Sequence, residues 1–444
     1  MFGARLSNWV ILCFIGIVCA IGTVDLKTEN ALVIYDSHFQ DLTDKSSLSS
    51  PIKTLIDNLE SQYKVQYHSY EDEDIKLFYE DSPRFDHLVI LPSSKKVIAA
   101  KAALSQHKLI DYVNQGGNVL VVGGIEAVLP DSTRGFLNQL GIYPAPKNFQ
   151  LLDHFNSNGG DEVILSDETN LVSNNRVVKS ITNTNYKGGA AIISNNELLF
   201  PIIKGSPTSF TAKAGIEKVE QDTTWTFGSQ GFAAVGFQAL NNARLVWVGS
   251  ESLITDDLIN WTFQKKHVLK LQFVQHYKND EPENPNHTLY RIKDQTIYTV
   301  GVSELSEDGK WIPFEVTNDE DQLQLSFKML DPYQRLNLLP LGPAASIEGG
   351  SDLDTYVYYT NFTLPDHHGM FTFELDYKRV GLSFLEDKKI VTVRHLANDE
   401  FKRSWDITNS WLYIASAALV IVAWFLFVVN YIYISKTDDE KKNI

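Results

Sequence analysis

The sequence predicts an α/β domain, then an all-β region, then one membrane-spanning helix. Three observations carry this. Between Ala31 and Gly124, strand-length apolar runs alternate with segments whose apolar residues recur at helical spacing, the pattern of a parallel sheet covered on both faces. Beyond His287 the chain turns to short runs rich in aromatic and β-branched residues, with turn residues between them, the pattern of an antiparallel sandwich. From Trp411 to Ile434 there is no charged residue. At about 1.5 Å per residue such a helix reaches about 36 Å, enough to cross a hydrocarbon core of about 30 Å with some tilt.

The N-terminus, MFGARLSNWVILCFIGIVCAIGTVDL, places one basic residue, Arg5, before an apolar run that ends in small residues at Ala20 and Gly22. This is the layout of a secretory signal over residues 1–22, with an uncleaved anchor as the alternative. Both cysteines, Cys13 and Cys19, lie inside it. A processed chain would have no thiol, which excludes disulfides, thiolate metal sites and cysteine nucleophiles together. Losing Arg5 takes the net charge from −16 to −17, with 38 basic against 55 acidic residues. A nucleic-acid ligand wants the opposite sign. With 444 residues, 43% of them hydrophobic, the chain can build two or three cores.

Residues 28–277 are expected to form the α/β domain. ALVIYD (Ala31 to Asp36) reads as a buried strand, PIKTLIDNLESQ as a helix, KVQYHSY and DHLVILP as further strands. AALSQHKLIDYVNQGG reads as a helix stopped by Gly116 and Gly117, and NVLVVGG as a fourth strand; two more strands and a closing helix lie within residues 228–270. KNDEPENPNH (278–287), with two prolines and three acids, reads as the linker. In 288–404 the runs QTIYTVGV, LQLSFKML, TYVYYTNFTL, MFTFELDY, LSFLED and IVTVRHL read as sandwich strands.

The span, 411–434, carries Trp411 and Tyr413 at one end and Tyr431 and Tyr433 at the other, as interfacial rings do. Its ASAA stretch and Asn430 are compatible with a neighbouring helix. Residues 435–444 would be a cytosolic tail. Lys441 and Lys442 stand fourth and third from the end, the spacing of a dilysine endoplasmic reticulum retrieval address read by a receptor. A basic stop-transfer flank, as Lys436 supplies, would not fix that distance.

A doubly wound sheet binds ligands beyond the carboxyl ends of its strands. The turn after the first strand, YDSHFQDL, lacks the glycine fingerprint, and no G-x-G or P-loop occurs in the chain. The turn after the fourth strand is where an amidotransferase-like or hydrolase-like fold sets its nucleophile; here stand Gly123 and Gly124. Asp72 and Asp74 have the D-x-D spacing of sugar-nucleotide sites but sit in a plain acidic run. His367 and His368 are adjacent, so their side chains diverge. Sequons occur at Asn260, Asn286 and Asn361; Asn286 lies in the linker, the other two in apolar elements where burial is open. No catalytic, cofactor-binding or metal-binding residue is assigned.

The blocks FLNQLGIYPAPK, GSQGF followed by VGFQ and LNNARLVWVGS, LPDHHGMFTFELDYKRVGLSF, and HLANDEFKRSWDITNSW running into the span resemble the wheat-germ-agglutinin-binding-protein family. This is the beta, non-catalytic subunit of the endoplasmic reticulum oligosaccharyltransferase, in its fungal form. The resemblance covers nearly the whole processed chain. It implies a type I membrane protein with an amidotransferase-like (flavodoxin/Rossmann-like) domain that has lost its nucleophile, then β-rich lumenal structure and one span. It implies a role in the complex that moves a preassembled oligosaccharide from dolichyl diphosphate to Asn of N-x-S/T in nascent chains. The implied partners are a catalytic multispanning subunit, whose W-W-D-Y-G signature is absent here, a ribophorin II-like subunit and a defender-against-cell-death-like small subunit. A part in recognising the lipid-linked oligosaccharide is also implied, at no assigned residue. The competing readings are a stand-alone membrane-anchored hydrolase, for which no nucleophile is found, and a glycan-binding cargo receptor of the endoplasmic reticulum.

Overall fold

The computed structural model describes residues 29–441 apart from 39–41, 43–47, 73–74, 81, 99, 101–102, 158–161, 174, 182–183, 216–219, 221–222, 308, 317–320, 347–353 and 402–408. The expected signal, with Cys13 and Cys19, lies outside these residues.

A nine-stranded mixed sheet forms the first layer system. Its strands Lys64–Ser69, Asn30–Tyr35, His87–Ile90, Asn118–Val122 and Arg244–Val248 lie side by side in that order, all parallel. Because side chains alternate across a strand, Val33, Val89, Leu120 and Val246 enter one core with Leu55 and Leu59 of the helix Ser50–Gln62. Leu32, Leu88, Val121 and Leu245 enter the other, with Leu109 and Val113 of the helix Gln106–Asn114 and Phe136 of the helix Asp131–Leu140. Unbroken apolar strands follow from being covered on both faces.

The helix Ser50–Gln62 starts with proline in its first turn and buries Ile52, Leu55, Ile56 and Leu59, one face at helical spacing. In Gln106–Asn114 the Ser105 side chain caps the first turn by accepting from the Lys108 N–H. Gly116, at φ 94°, ends it in a conformation that side chains disfavour.

Beyond Arg244–Val248 the sheet is antiparallel. Phe232–Gln238 joins it through a connection of five residues, too short for a parallel crossover. Ala191–Ile193, Ile142–Pro144 and Leu199–Lys204 extend the antiparallel half, so an expectation of parallel pairing holds for only part of the sheet. Residues 149–227 also form small sheets that no sequence pattern announced.

Two five-stranded sheets face each other in the C-terminal part. Tyr298, Val300, Val302 and Phe362 of one meet Phe327, Phe371, Phe373 and Val391 of the other in one core. LSFLED and IVTVRHL belong to a single strand, Leu385–Arg394. The sandwich is not wholly antiparallel: Leu289–Arg291 runs parallel to Leu385–Arg394.

The expected boundary at 277/278 needs correction. Strand Leu269–Lys278 pairs along its whole length with Gln295–Leu305 and is part of the sandwich. Residues 279–287 are therefore a loop inside the sandwich, tied down by the Asn279 N–H to Gln295 O at 2.9 Å and the Asn286 N–H to His276 O at 2.7 Å. Prolines and acids mark a loop but carry no information on whether its flanks share a sheet.

The helix Ser410–Lys441 completes the described chain; its segment Ser410–Tyr433, of mean hydropathy 2.6, is long and apolar enough to cross a membrane.

Candidate functional site

Gly123 and Gly124 sit, as expected, directly after the strand Asn118–Val122. What surrounds them is backbone. The Gly123 N–H donates to Val248 O at 2.7 Å. A methyl group on Gly249 would lie 2.1 Å from Gly189 O and 2.4 Å from the Tyr186 hydroxyl. That hydroxyl donates to Gly189 O at 2.6 Å. Pro92, Arg134, Phe149 and Trp247 close the space beside them, which admits only about 20 Å³, the room of one water molecule. The turn is closely packed.

At the carboxyl ends of Asn30–Tyr35 and His87–Ile90 the strand order reverses, the place where open α/β sheets bind ligands. Asp36, only 4% exposed, occupies it. It accepts from the Ser94 N–H at 2.7 Å, the Ser94 hydroxyl at 2.6 Å, the Ser93 hydroxyl at 3.1 Å and the His38 N–H at 3.0 Å. Burial alone would raise its pKa; the Ser94 hydroxyl and N–H, then His38 and Ser93, outweigh burial and hold it down at about 2. These donors bind the two strand ends together. A carboxylate with a folded pKa below its unfolded 3.8 stabilises the fold above that pH and stops doing so as pH falls through about 2. Asp36→Asn is expected to lower stability by about 2 kcal/mol at pH 7, and its deficit against the wild type should shrink to near zero by about pH 2. Thermal unfolding of the two proteins across that range checks this; a pH-independent gap would refute it.

The other singled-out residues are dispersed. Asp72 accepts from the Ser69 N–H at 2.9 Å and lies 3.4 Å from the His68 ring nitrogen, closing its own turn; Asp74 lies outside the described residues. His367 packs 5.3 Å from the Tyr333 ring and His368 3.9 Å from the His395 ring. Among the described residues no three His, Cys, Asp or Glu side chains are grouped to hold a metal. Asn286 is exposed. So is Asn361, because alternation in Tyr356–Thr363 turns its neighbours Thr360 and Phe362 inward. Asn260 is half-buried on Asp256–Thr262, between buried neighbours. Lys441 ends the C-terminal helix; Lys442 lies outside the described residues.

The most developed polar site is one the sequence did not announce. Arg244 begins the last parallel strand and is fully buried. Its guanidinium donates to Trp261 O at 2.8 Å, Lys266 O and His267 O at 2.7 Å, and the Ser383 hydroxyl at 3.1 Å, with its carbon 4.7 Å from the Trp261 ring. Among the described residues no carboxylate answers it, and burial pulls its pKa down to about 9. Around it the sandwich loop 381–384 is stitched to the α/β domain: Trp261 Nε1 donates to Gly381 O at 2.8 Å, Gln238 Nε2 to Leu382 O at 2.8 Å, and Asn242 Nδ2 to Phe384 O at 3.1 Å. The Phe384 N–H returns to Asn242 Oδ1 at 2.7 Å. This junction lies at the amino end of the strand, opposite the packed turn. It also joins LNNAR to KRVGLSF, two of the blocks by which the sequence was recognised.

Comparison with known proteins gives the same answer from another direction. Residues 23–281 match the family model described as OST48, N-terminal domain, and residues 276–435 the OST48 middle domain. A Saccharomyces cerevisiae protein named dolichyl-diphosphooligosaccharide–protein glycosyltransferase subunit WBP1 is 36% identical over 93% of each chain. The Schizosaccharomyces pombe subunit wbp1 is 32% identical over 82% of this chain and 85% of its own. The Caenorhabditis elegans 48 kDa subunit is 26% identical over 86% and 90%. With both domain models matched in order and the yeast relative aligned almost end to end, the chain belongs to the WBP1/OST48 family.

Proposed function

We propose that this chain is an accessory, non-catalytic subunit of oligosaccharyltransferase, the complex that transfers a preassembled oligosaccharide from dolichyl diphosphate to sequon asparagine. The family supports the complex, since the relatives are named as subunits of that glycosyltransferase. The filled elbow is the observation that carries the non-catalytic part: glycine backbones meet where a nucleophile would stand, beside a space of about 20 Å³. The parallel strands, counted along the chain, lie in the order second, first, third, fourth, fifth. This flavodoxin-like order supports an amidotransferase-like origin for the first domain.

On this reading the body is lumenal and enters the endoplasmic reticulum through the signal 1–22. The span around 411–434 anchors it there, and Lys441 and Lys442 return it from later compartments. Its partners are the multispanning catalytic subunit and the ribophorin II-like and defender-against-cell-death-like subunits. Exposure at Asn286 and Asn361 supports glycan attachment there ahead of half-buried Asn260.

The test is to tag the lumenal end, extract membranes in mild detergent, and assay glycan transfer from a dolichyl-diphosphate donor to a sequon peptide. Activity is expected in the multi-subunit eluate and absent from the purified chain. Full-length protein that comes down alone would overturn the assignment, and transfer by the isolated chain would overturn the non-catalytic part.

A further inference from the structure

We propose that the end of the sandwich carrying Leu330 and Met370 rests on the membrane, with these side chains in the polar–apolar boundary of the bilayer. The chain's path places this end. Leu385–Arg394 is the last strand, and Gly369 pairs with Val393 at its finish. Beyond it the chain is held back: Glu400 receives Arg394 at 2.7 and 2.8 Å, Arg291 at 3.2 Å and the Ala397 N–H at 2.7 Å. Those partners keep the Glu400 carboxyl at about 2. The His395 ring lies against His368. The spanning helix begins at Ser410, ten residues after Glu400. Ten residues reach at most about 35 Å when fully extended, so the helix begins within about 35 Å of the end of the sandwich that holds Glu400.

That same end also carries exposed apolar side chains. Leu330, at the tip of the turn between Gln324–Lys328 and Pro332–Asn337, is 92% exposed, and Met370 is 64% exposed. Met329 connects them: its sulfur would stand 3.0 Å from a methyl group built on Gly369. Tyr333 continues the patch, packed on the His367 and Phe371 rings. The outward-facing positions at the opposite end of the same strand pair are charged: Glu374, Asp376, Glu386 and Lys388. The far end of this sheet is charged at these positions, while the near end sets leucine, methionine and tyrosine beside the Arg394–Glu400 and Lys293–Asp366 ion pairs, a mixture suited to an edge that dips about 5–10 Å into headgroups and acyl boundary.

The only cysteines precede residue 23, so single-cysteine probes are unambiguous. Leu330→Cys and Met370→Cys, in full-length protein reconstituted into phosphatidylcholine vesicles, would be labelled with an environment-sensitive fluorophore and challenged with headgroup-nitroxide lipid. Tyr413→Cys serves as the in-membrane reference and Tyr79→Cys, 71% exposed in the α/β domain, as the remote one. Quenching at 330 and 370 several-fold above Tyr79 and near Tyr413 is expected, in vesicles and in the assembled complex alike. Quenching at the Tyr79 level would overturn the proposal. Quenching in vesicles that disappears in the complex would overturn it as well, making this end a protein interface. Neither result touches the transfer assay, so the proposal can fail while the subunit assignment stands.

Discussion

Replacing Arg244 with alanine is expected to be the most destabilising single change in the two folded domains. The side chain is fully buried and satisfies three backbone carbonyls and the Ser383 hydroxyl. Its removal takes a donor from each: Trp261 O keeps the Gln264 N–H and His267 O the Ser383 N–H, both at 3.2 Å, while Lys266 O loses the guanidinium, at about 1–3 kcal/mol for a buried acceptor left unpaired, and a void opens beside Trp261. A total of about 4 kcal/mol or more would remove much of the 5–15 kcal/mol that ordinarily holds a domain folded. Because the acceptors belong to both domains, docking should suffer with stability, and proteolysis should find the 379–384 loop. Arg244→Lys keeps a charge but cannot span acceptors arranged around a planar fork, so it should recover little. Arg244→Met restores volume alone and separates packing from hydrogen bonding. Thermal unfolding of the detergent-solubilised chain, with limited proteolysis, reads all three; an alanine variant melting with the wild type would refute the account.

The contrast between Arg244 and the glycines shows what could be read from residues alone. The parallel half of the sheet was legible because Ala31–Ile34, Leu88–Leu91 and Val119–Val122 are buried on both faces, and double burial leaves no polar residue to blur the pattern. The place of Gly123 and Gly124 directly after a strand was legible for a related reason, since an unbroken apolar run has a readable end. Arg244 was not. A single arginine opening an apolar run looks like a solvated strand end, and nothing local says that Ser383, 139 residues later, will meet it. The strand Leu269–Lys278 escaped for a similar reason, as its pairing is set by Gln295–Leu305 across a proline-rich loop. Short strands such as Ala191–Ile193 carry too few residues for a period to show. Residues of LNNAR and KRVGLSF hold the two domains together.

Gly249→Ala separates the two meanings a vacant elbow can have. Were the elbow a ligand cleft, a methyl group there would leave folding intact and block occupancy. In the structure it would meet Gly189 O at 2.1 Å and the Tyr186 hydroxyl at 2.4 Å, and neither can yield freely: the first is backbone, and the second belongs to a fully buried ring that donates to that same carbonyl. Forcing atom into backbone in a packed core costs about 1–3 kcal/mol and sometimes more. The loss of the Tyr186 hydrogen bond adds about 1 kcal/mol. Gly249→Ala is therefore expected to destabilise by about 3–4 kcal/mol. Gly124→Ala, whose new methyl would meet only the Ala127 methyl at 3.3 Å, should cost under about 1 kcal/mol. A lower melting temperature for Gly249→Ala, beside a nearly unchanged Gly124→Ala, would mean that this turn belongs to the packed core. Glycan transfer by complexes containing Gly124→Ala should then equal the wild type. An unchanged melting temperature for Gly249→Ala together with lost transfer would return the cleft to the list of working sites.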